Sequence, residues 1–84
     1  MIQAKEIERY IHDGLVCSYL QVVGDGHHFE AVIVSPLFQG KTRIQQHQLV
    51  YQALGERMRA EIHALSMKTF TPEGWKKLGA QHNK

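Results

Sequence analysis

The tripeptide Gly24-Asp25-Gly26 sits between two runs that read as β-strands, and this one turn decides most of the architecture. Glycine supplies the positive φ that tight turns need. The run before it, Tyr-Leu-Gln-Val-Val-Gly at 19–24, is rich in aromatic and β-branched residues. The run after it, at 28–35, alternates, with Phe29, Ala31 and Ile33 on one face and His28, Glu30 and Val32 on the other. Two strands joined by a short Gly-rich connection form an antiparallel hairpin. Pro36 ends the second strand because it cannot donate to a ladder.

The flanking segments read as helices and one more strand. Ile7, Ile11 and Leu15, with Tyr10 beside them, give residues 4–15 a helical period that Asp13-Gly14 weakens at its end. A long helix is expected from Thr42, a plausible N-cap, to about Met58. Its apolar stripe is Ile44, Leu49, Val50, Ala53, Leu54 and Met58, with Gly55 inside it pointing to close packing or a weak end. Residues 62–70 read as a third strand, and Thr71-Pro72-Glu73 starts a short helix to about Leu78 that carries Trp75. That ring is expected to be substantially buried, to anchor the last helix. Residues 79–84 read as a frayed tail.

The order is therefore α-β-β-α-β-α in a single domain, 1–84. The second strand, long helix and third strand make a right-handed crossover, with those strands parallel. The fold class is α+β: a three-stranded mixed sheet with helices packed on one face.

Composition narrows the function. The chain has 84 residues, one cysteine and a net charge of +2 with histidine neutral. With one cysteine, Cys17, no disulfide can form within the chain, and no run is long and apolar enough for a membrane span. The N-terminus carries acids and no apolar signal segment, so a cytoplasmic location is expected. Serine-nucleophile elbows, phosphate-binding Gly loops, paired-cysteine metal motifs and zinc-protease His pairs are all missing. A binding protein is expected rather than an enzyme.

Histidine is abundant, at positions 12, 27, 28, 47, 63 and 82. Taken singly, such residues are more often surface groups than ligands. His12 and His82 read that way, and His47, set among glutamines, reads as lying on a solvated helix face. His27 and His28 open the second strand and His63 opens the third. Neighbouring strand residues face opposite ways, so at most one of His27 and His28 shares a direction with His63. Two imidazoles are half of a metal site, with a partner left to supply the rest. Cys17 reads as structural. Basic residues gather loosely at Lys41 and Arg43, at Arg57 and Arg59, and at Lys68, Lys76 and Lys77.

Four stretches together resemble the BolA family, most of all its short bacterial, IbaG-like branch. They are Gly-Asp-Gly-His-His-Phe at 24–29, Leu-Phe-Gln-Gly-Lys at 37–41, Gln-His-Gln-Leu-Val-Tyr at 46–51 and Ile-His-Ala-Leu-Ser-Met-Lys-Thr-Phe-Thr-Pro-Glu-Gly-Trp at 62–75. The resemblance covers about residues 2–78. It implies a fold similar to a type II KH domain and a non-enzymatic role in iron homeostasis. It further implies pairing with a monothiol glutaredoxin and sharing of a [2Fe-2S] cluster, with glutathione as co-ligand. The family's ligand histidine falls on His63, and its second ligand on His27, with His28 as the alternative. The isolated chain is then expected to hold no cluster. The resemblance also implies a second role, nucleic-acid binding, for which Lys41, Arg43 and Lys68 and the loop Phe38–Lys41 are the candidates.

Overall fold

A computed structural model describes residues 2–82, the last three as backbone only. The elements run α1 (Ala4–Gly14), β1 (Tyr19–Gly24), β2 (Phe29–Val34), a 3-10 turn (Pro36–Phe38), α2 (Arg43–Leu54), a second 3-10 turn (Ile62–Ala64), β3 (Leu65–Phe70) and α3 (Pro72–His82). The expected α-β-β-α-β-α order is the observed one. The sheet order is β1-β2-β3, antiparallel between β1 and β2 and parallel between β2 and β3.

Local chemistry sets the element ends. The Gln3 N–H donates to Glu6 Oε1 at 3.1 Å and starts α1. Thr42 caps α2 in a reciprocal box: its Oγ1 accepts from the Gln45 N–H at 3.2 Å, while Gln45 Oε1 accepts from the Thr42 N–H at 2.9 Å. Gly55, at φ 58°, ends α2 and has open space around its Cα. Gly55 therefore acts as a helix stop, not as a close-packing residue, and α2 is shorter than the expected 42–58. Met58 is still fully buried, carried by the turns that follow.

One face of the sheet makes the core. Phe29, Ala31 and Ile33 of β2 and Leu65 of β3 pack with Ile7, Ile11 and Leu15 from α1 and its end, and with Val50 and Leu54 of α2. Ile44 departs from the expected apolar stripe: it is 72% exposed. It stands on the flank of α2 turned away from Val50 and Leu54. Ser35, the one fully buried polar residue among those described, is satisfied at both ends. Its hydroxyl donates to the Val16 carbonyl at 2.6 Å and accepts from the Leu37 N–H at 3.1 Å.

The opposite face is open except at one end. Val34 pairs with Tyr19 on one side and Phe70 on the other, so these three side chains share that face. Trp75 of α3 stacks on Tyr19 with ring centroids 5.2 Å apart and meets Phe70 at 5.3 Å. Trp75 is substantially buried, as expected, with part of its surface left open to solvent. It lies across the end of the open face instead of entering the core. α3 also continues past the expected end near Leu78 to His82, through the part of the frayed-tail reading that can be tested. Residues 83 and 84 lie outside the described residues.

Candidate metal-ligand edge and neighbouring surfaces

The parallel pairing of β2 with β3 is what brings the histidines of interest together. Phe29 pairs with Leu65 at the start of both strands. His27 and His63 each stand two residues ahead of that pair, and His28 one residue ahead. Parallel strands begin at the same edge of a sheet, about 4.8 Å apart. The segments carrying His27 or His28 and His63 are therefore neighbours there. All three histidines are exposed, and their rings make no hydrogen bond to any described residue. His63 sits in the second 3-10 turn and not on the strand proper, as 62–70 had suggested. Its ring makes no bond to a backbone carbonyl.

Asp25 organises this edge, a role that its reading as a turn residue left out. Its Oδ1 accepts from the His27 N–H at 2.8 Å and from the His28 N–H at 2.9 Å, while its own N–H donates to the His28 carbonyl at 3.2 Å. Those two amide donors, His28 first, hold the Asp25 carboxyl below its ordinary range. Gly26 adopts φ 95°, as the turn requires. A Cβ on Gly24 would collide with the His28 carbonyl and the Phe29 ring. The visible clue was the Gly-Asp-Gly run itself, because Asp at a turn accepts from amides two and three residues on.

The donor set at this edge is nitrogen only and incomplete. Among the described residues no group of three or more His, Cys, Asp or Glu comes together to hold a metal ion. Two exposed imidazoles suit part of the coordination of an iron in a [2Fe-2S] cluster, where histidine can replace cysteine. They are too few to hold one without thiolates from elsewhere. Cys17 does not supply one. It is half-buried at the other end of β1, its Sγ–H donates to the Leu15 carbonyl at 3.4 Å, and burial raises its pKa. A concavity of about 530 Å³ beside Cys17, between α1 and β1, mixes Lys5, Arg9 and His12 with Glu8 and Asp13. It lies at the opposite end of β1 from the histidine edge.

The basic candidates are placed differently. Lys41, Arg43 and Lys68 are all exposed, and Arg43 and Lys68 line one groove with His47. Phe38, expected in the contact loop, is fully buried in the core instead. Gln46 straps that loop to the sheet, which sequence reasoning did not anticipate. Its Nε2 donates to the Phe38 and Lys41 carbonyls at 3.2 and 3.0 Å, and its Oε1 accepts from Thr69 Oγ1 at 2.7 Å. His47 is half-buried with Nε2 unpartnered, not on a solvated face. Burial first, and Arg43 second, lower its pKa.

Comparison with known proteins agrees with this architecture. The BolA-like protein family matches residues 6–74. The acid stress protein IbaG of Escherichia coli K12 is 36% identical over 75 residues, 88% of this chain and 89% of that one. A Haemophilus influenzae protein named DNA-binding transcriptional regulator BolA is 47% identical over 53 residues, 63% of this chain. The match spans 52% of that relative, about half its length. A bolA homologue from Coxiella burnetii superimposes with a TM-score of 0.80 at 47% identity, covering 90% of this chain and 99% of that one. No described helix is long and apolar enough to cross a membrane. The paired motifs, the register that joins the β2 and β3 histidine segments, and these matches place the chain in the BolA-like family.

Proposed function

We propose that this protein is a non-enzymatic adaptor that pairs with a monothiol glutaredoxin and shares its [2Fe-2S] cluster through His63 and His27, with His28 as the alternative. The observation that carries the reading is the juxtaposition of these exposed, unbonded imidazole-bearing segments at one sheet edge. A neutral imidazole nitrogen is an iron ligand only while no other group holds it and the ring can be reached. The partner supplies the thiolates, one of its own and one from glutathione. A cluster bound in this way supplies redox-active iron–sulfur chemistry that passes between the two proteins. The chain's own share is positional. Asp25 pins the backbone of His27 and His28, and the 3-10 turn presents His63 beside them. The chain is proposed to act in the cytoplasm, in iron homeostasis and cluster trafficking.

The test is to mix the protein with cluster-loaded glutaredoxin and record visible absorption and circular dichroism. A changed cluster spectrum at one-to-one stoichiometry is the expected result. An unchanged spectrum at saturating protein contradicts the reading.

The name of the Haemophilus influenzae relative favours a second reading, nucleic-acid binding by Lys41, Arg43 and Lys68. A net charge of +2 neutralises few phosphates, so such binding is weak, sequence-tolerant and salt-sensitive. Nanomolar, sequence-selective duplex binding at physiological salt would place this reading first.

A further inference from the structure

The two outer edges of the sheet differ. β1 and β3 are both edge strands, and an edge strand turns every second residue's N–H and C=O away from the sheet. On β1 the bonded pair Asp25–His28 fixes the parity, so Leu20 and Val22 turn outward. Glu8 of α1 closes that edge, its Oε2 accepting from the Val22 N–H at 2.8 Å. On β3 the Ser35 N–H donates to the Phe70 carbonyl at 3.1 Å. This turns Ser66, Lys68 and Phe70 toward β2 and leaves the main-chain groups of Met67 and Thr69 pointing outward. No described residue pairs with either of these N–H groups.

These groups open into a groove of about 260 Å³ lined by Arg43, His47 and residues 67–70. The charge of its lining has one sign, and Glu30, which shares the adjoining open-face hollow with Lys68, lies outside it. Arg43 and Lys68 contribute cations, Lys41 stands just before α2, and there is no acid in residues 31–55 or 62–72. The His47 Nε2 is a further polar atom left without a partner in the groove wall. Ile44 and Tyr51, 72% and 44% exposed, share the His47 flank of α2 at helical spacing.

We propose that the open edge of β3 is a docking site for an extended acidic peptide segment of another protein, added as a fourth strand. The alternating N–H and C=O groups of Met67 and Thr69 match an extended main chain. Neighbouring side chains of such a strand face opposite ways. Two consecutive acids then meet Arg43 on the α2 side and Lys68 on the open face. An aliphatic residue on the α2 side lies against Ile44 and Tyr51. A nucleic acid offers no such ladder of amides and carbonyls. A second copy would bring two sets of Arg43 and Lys68 together, with like charges opposed. The site is independent of the cluster reading, because His63 and His27 lie at the other end of β3.

The experiment titrates the ¹⁵N-labelled full chain with a capped octapeptide, Thr-Val-Thr-Glu-Glu-Val-Thr-Val. The Met67 and Thr69 amides shift and exchange more slowly. Arg43→Glu weakens binding about tenfold, the scale of one charge-assisted contact. That variant keeps its fold, because an acid at the first turn suits the positive helix end. The same peptide N-methylated at alternate amides, or with Lys-Lys in place of Glu-Glu, does not bind. Four results overturn the proposal: no shift at β3, equal binding of the N-methylated peptide, tighter binding of oligothymidylate at the same amides, or concentration-dependent protection of them without any peptide. The third result would give the groove to nucleic acid and the fourth to a second copy.

Discussion

Replacing Trp75 by alanine removes the ring that closes one end of the open sheet face, and the size of the effect follows from its place outside the core. A fully buried aromatic costs about 3–5 kcal/mol when cut to alanine. Trp75 lies at the end of the open sheet face and outside the core, where water can refill part of its space, which lowers that loss to about 2 kcal/mol. About 1 kcal/mol of this belongs to stacking with Tyr19, whose ring lies 5.2 Å away and is tilted by 17°. For a domain of this size each kcal/mol moves the midpoint by about 4–8 °C, so Tm should fall by about 8–16 °C. Far-ultraviolet circular dichroism during urea and thermal unfolding measures this without the lost indole. A double-mutant cycle with Tyr19→Ala isolates the stacking share, expected at about 0.5–1.5 kcal/mol. A loss below about 0.5 kcal/mol would show that α3 is not anchored by this ring. A loss near 4 kcal/mol would return Trp75 to the core.

Three further outcomes are expected. Ser35→Ala leaves the Val16 carbonyl and the Leu37 N–H without their buried partner and should cost about 2–4 kcal/mol in urea unfolding, whereas a loss under about 1 kcal/mol would mean that both groups find water. His47 has a lowered pKa in the folded state, so the unfolded chain binds its proton more readily; stability from this group is complete above the unfolded value near 6.5 and falls as pH drops through the folded value. His47→Leu should flatten stability against pH in that window, and an unchanged slope would contradict this. Asp25→Ala removes the acceptor of two amides and should raise hydrogen exchange at His27 and His28, with unchanged exchange counting against its organising role.

Much of the fold was legible because its signals were local. The bounds of β1 match the expected 19–24, the hairpin follows from Gly24-Asp25-Gly26, and the parallel β2–β3 pair follows from the crossover. The errors have tertiary causes. Ile44 is apolar and in helical phase, yet no layer covers its flank of α2. His47 sits among glutamines, yet the approach of β3 half-buries it. Trp75 carries the apolar area of a core residue, but the open face it covers exists only once the strand register is set. The histidine edge was half legible: places at the starts of two strands, and the family resemblance, singled out His27, His28 and His63, while their adjacency depends on parallel register. Asp25 and Gln46 act through small sets of side-chain hydrogen bonds, which no periodicity records.

The most direct test of the central claim is His63→Ala beside wild type, each mixed with cluster-loaded glutaredoxin, with His12→Ala as an exposed-histidine control. The reading predicts that wild type and His12→Ala change the cluster spectrum alike and that His63→Ala does not. If His63→Ala reproduces the wild-type spectrum, His63 is not a ligand and the proposed site is wrong.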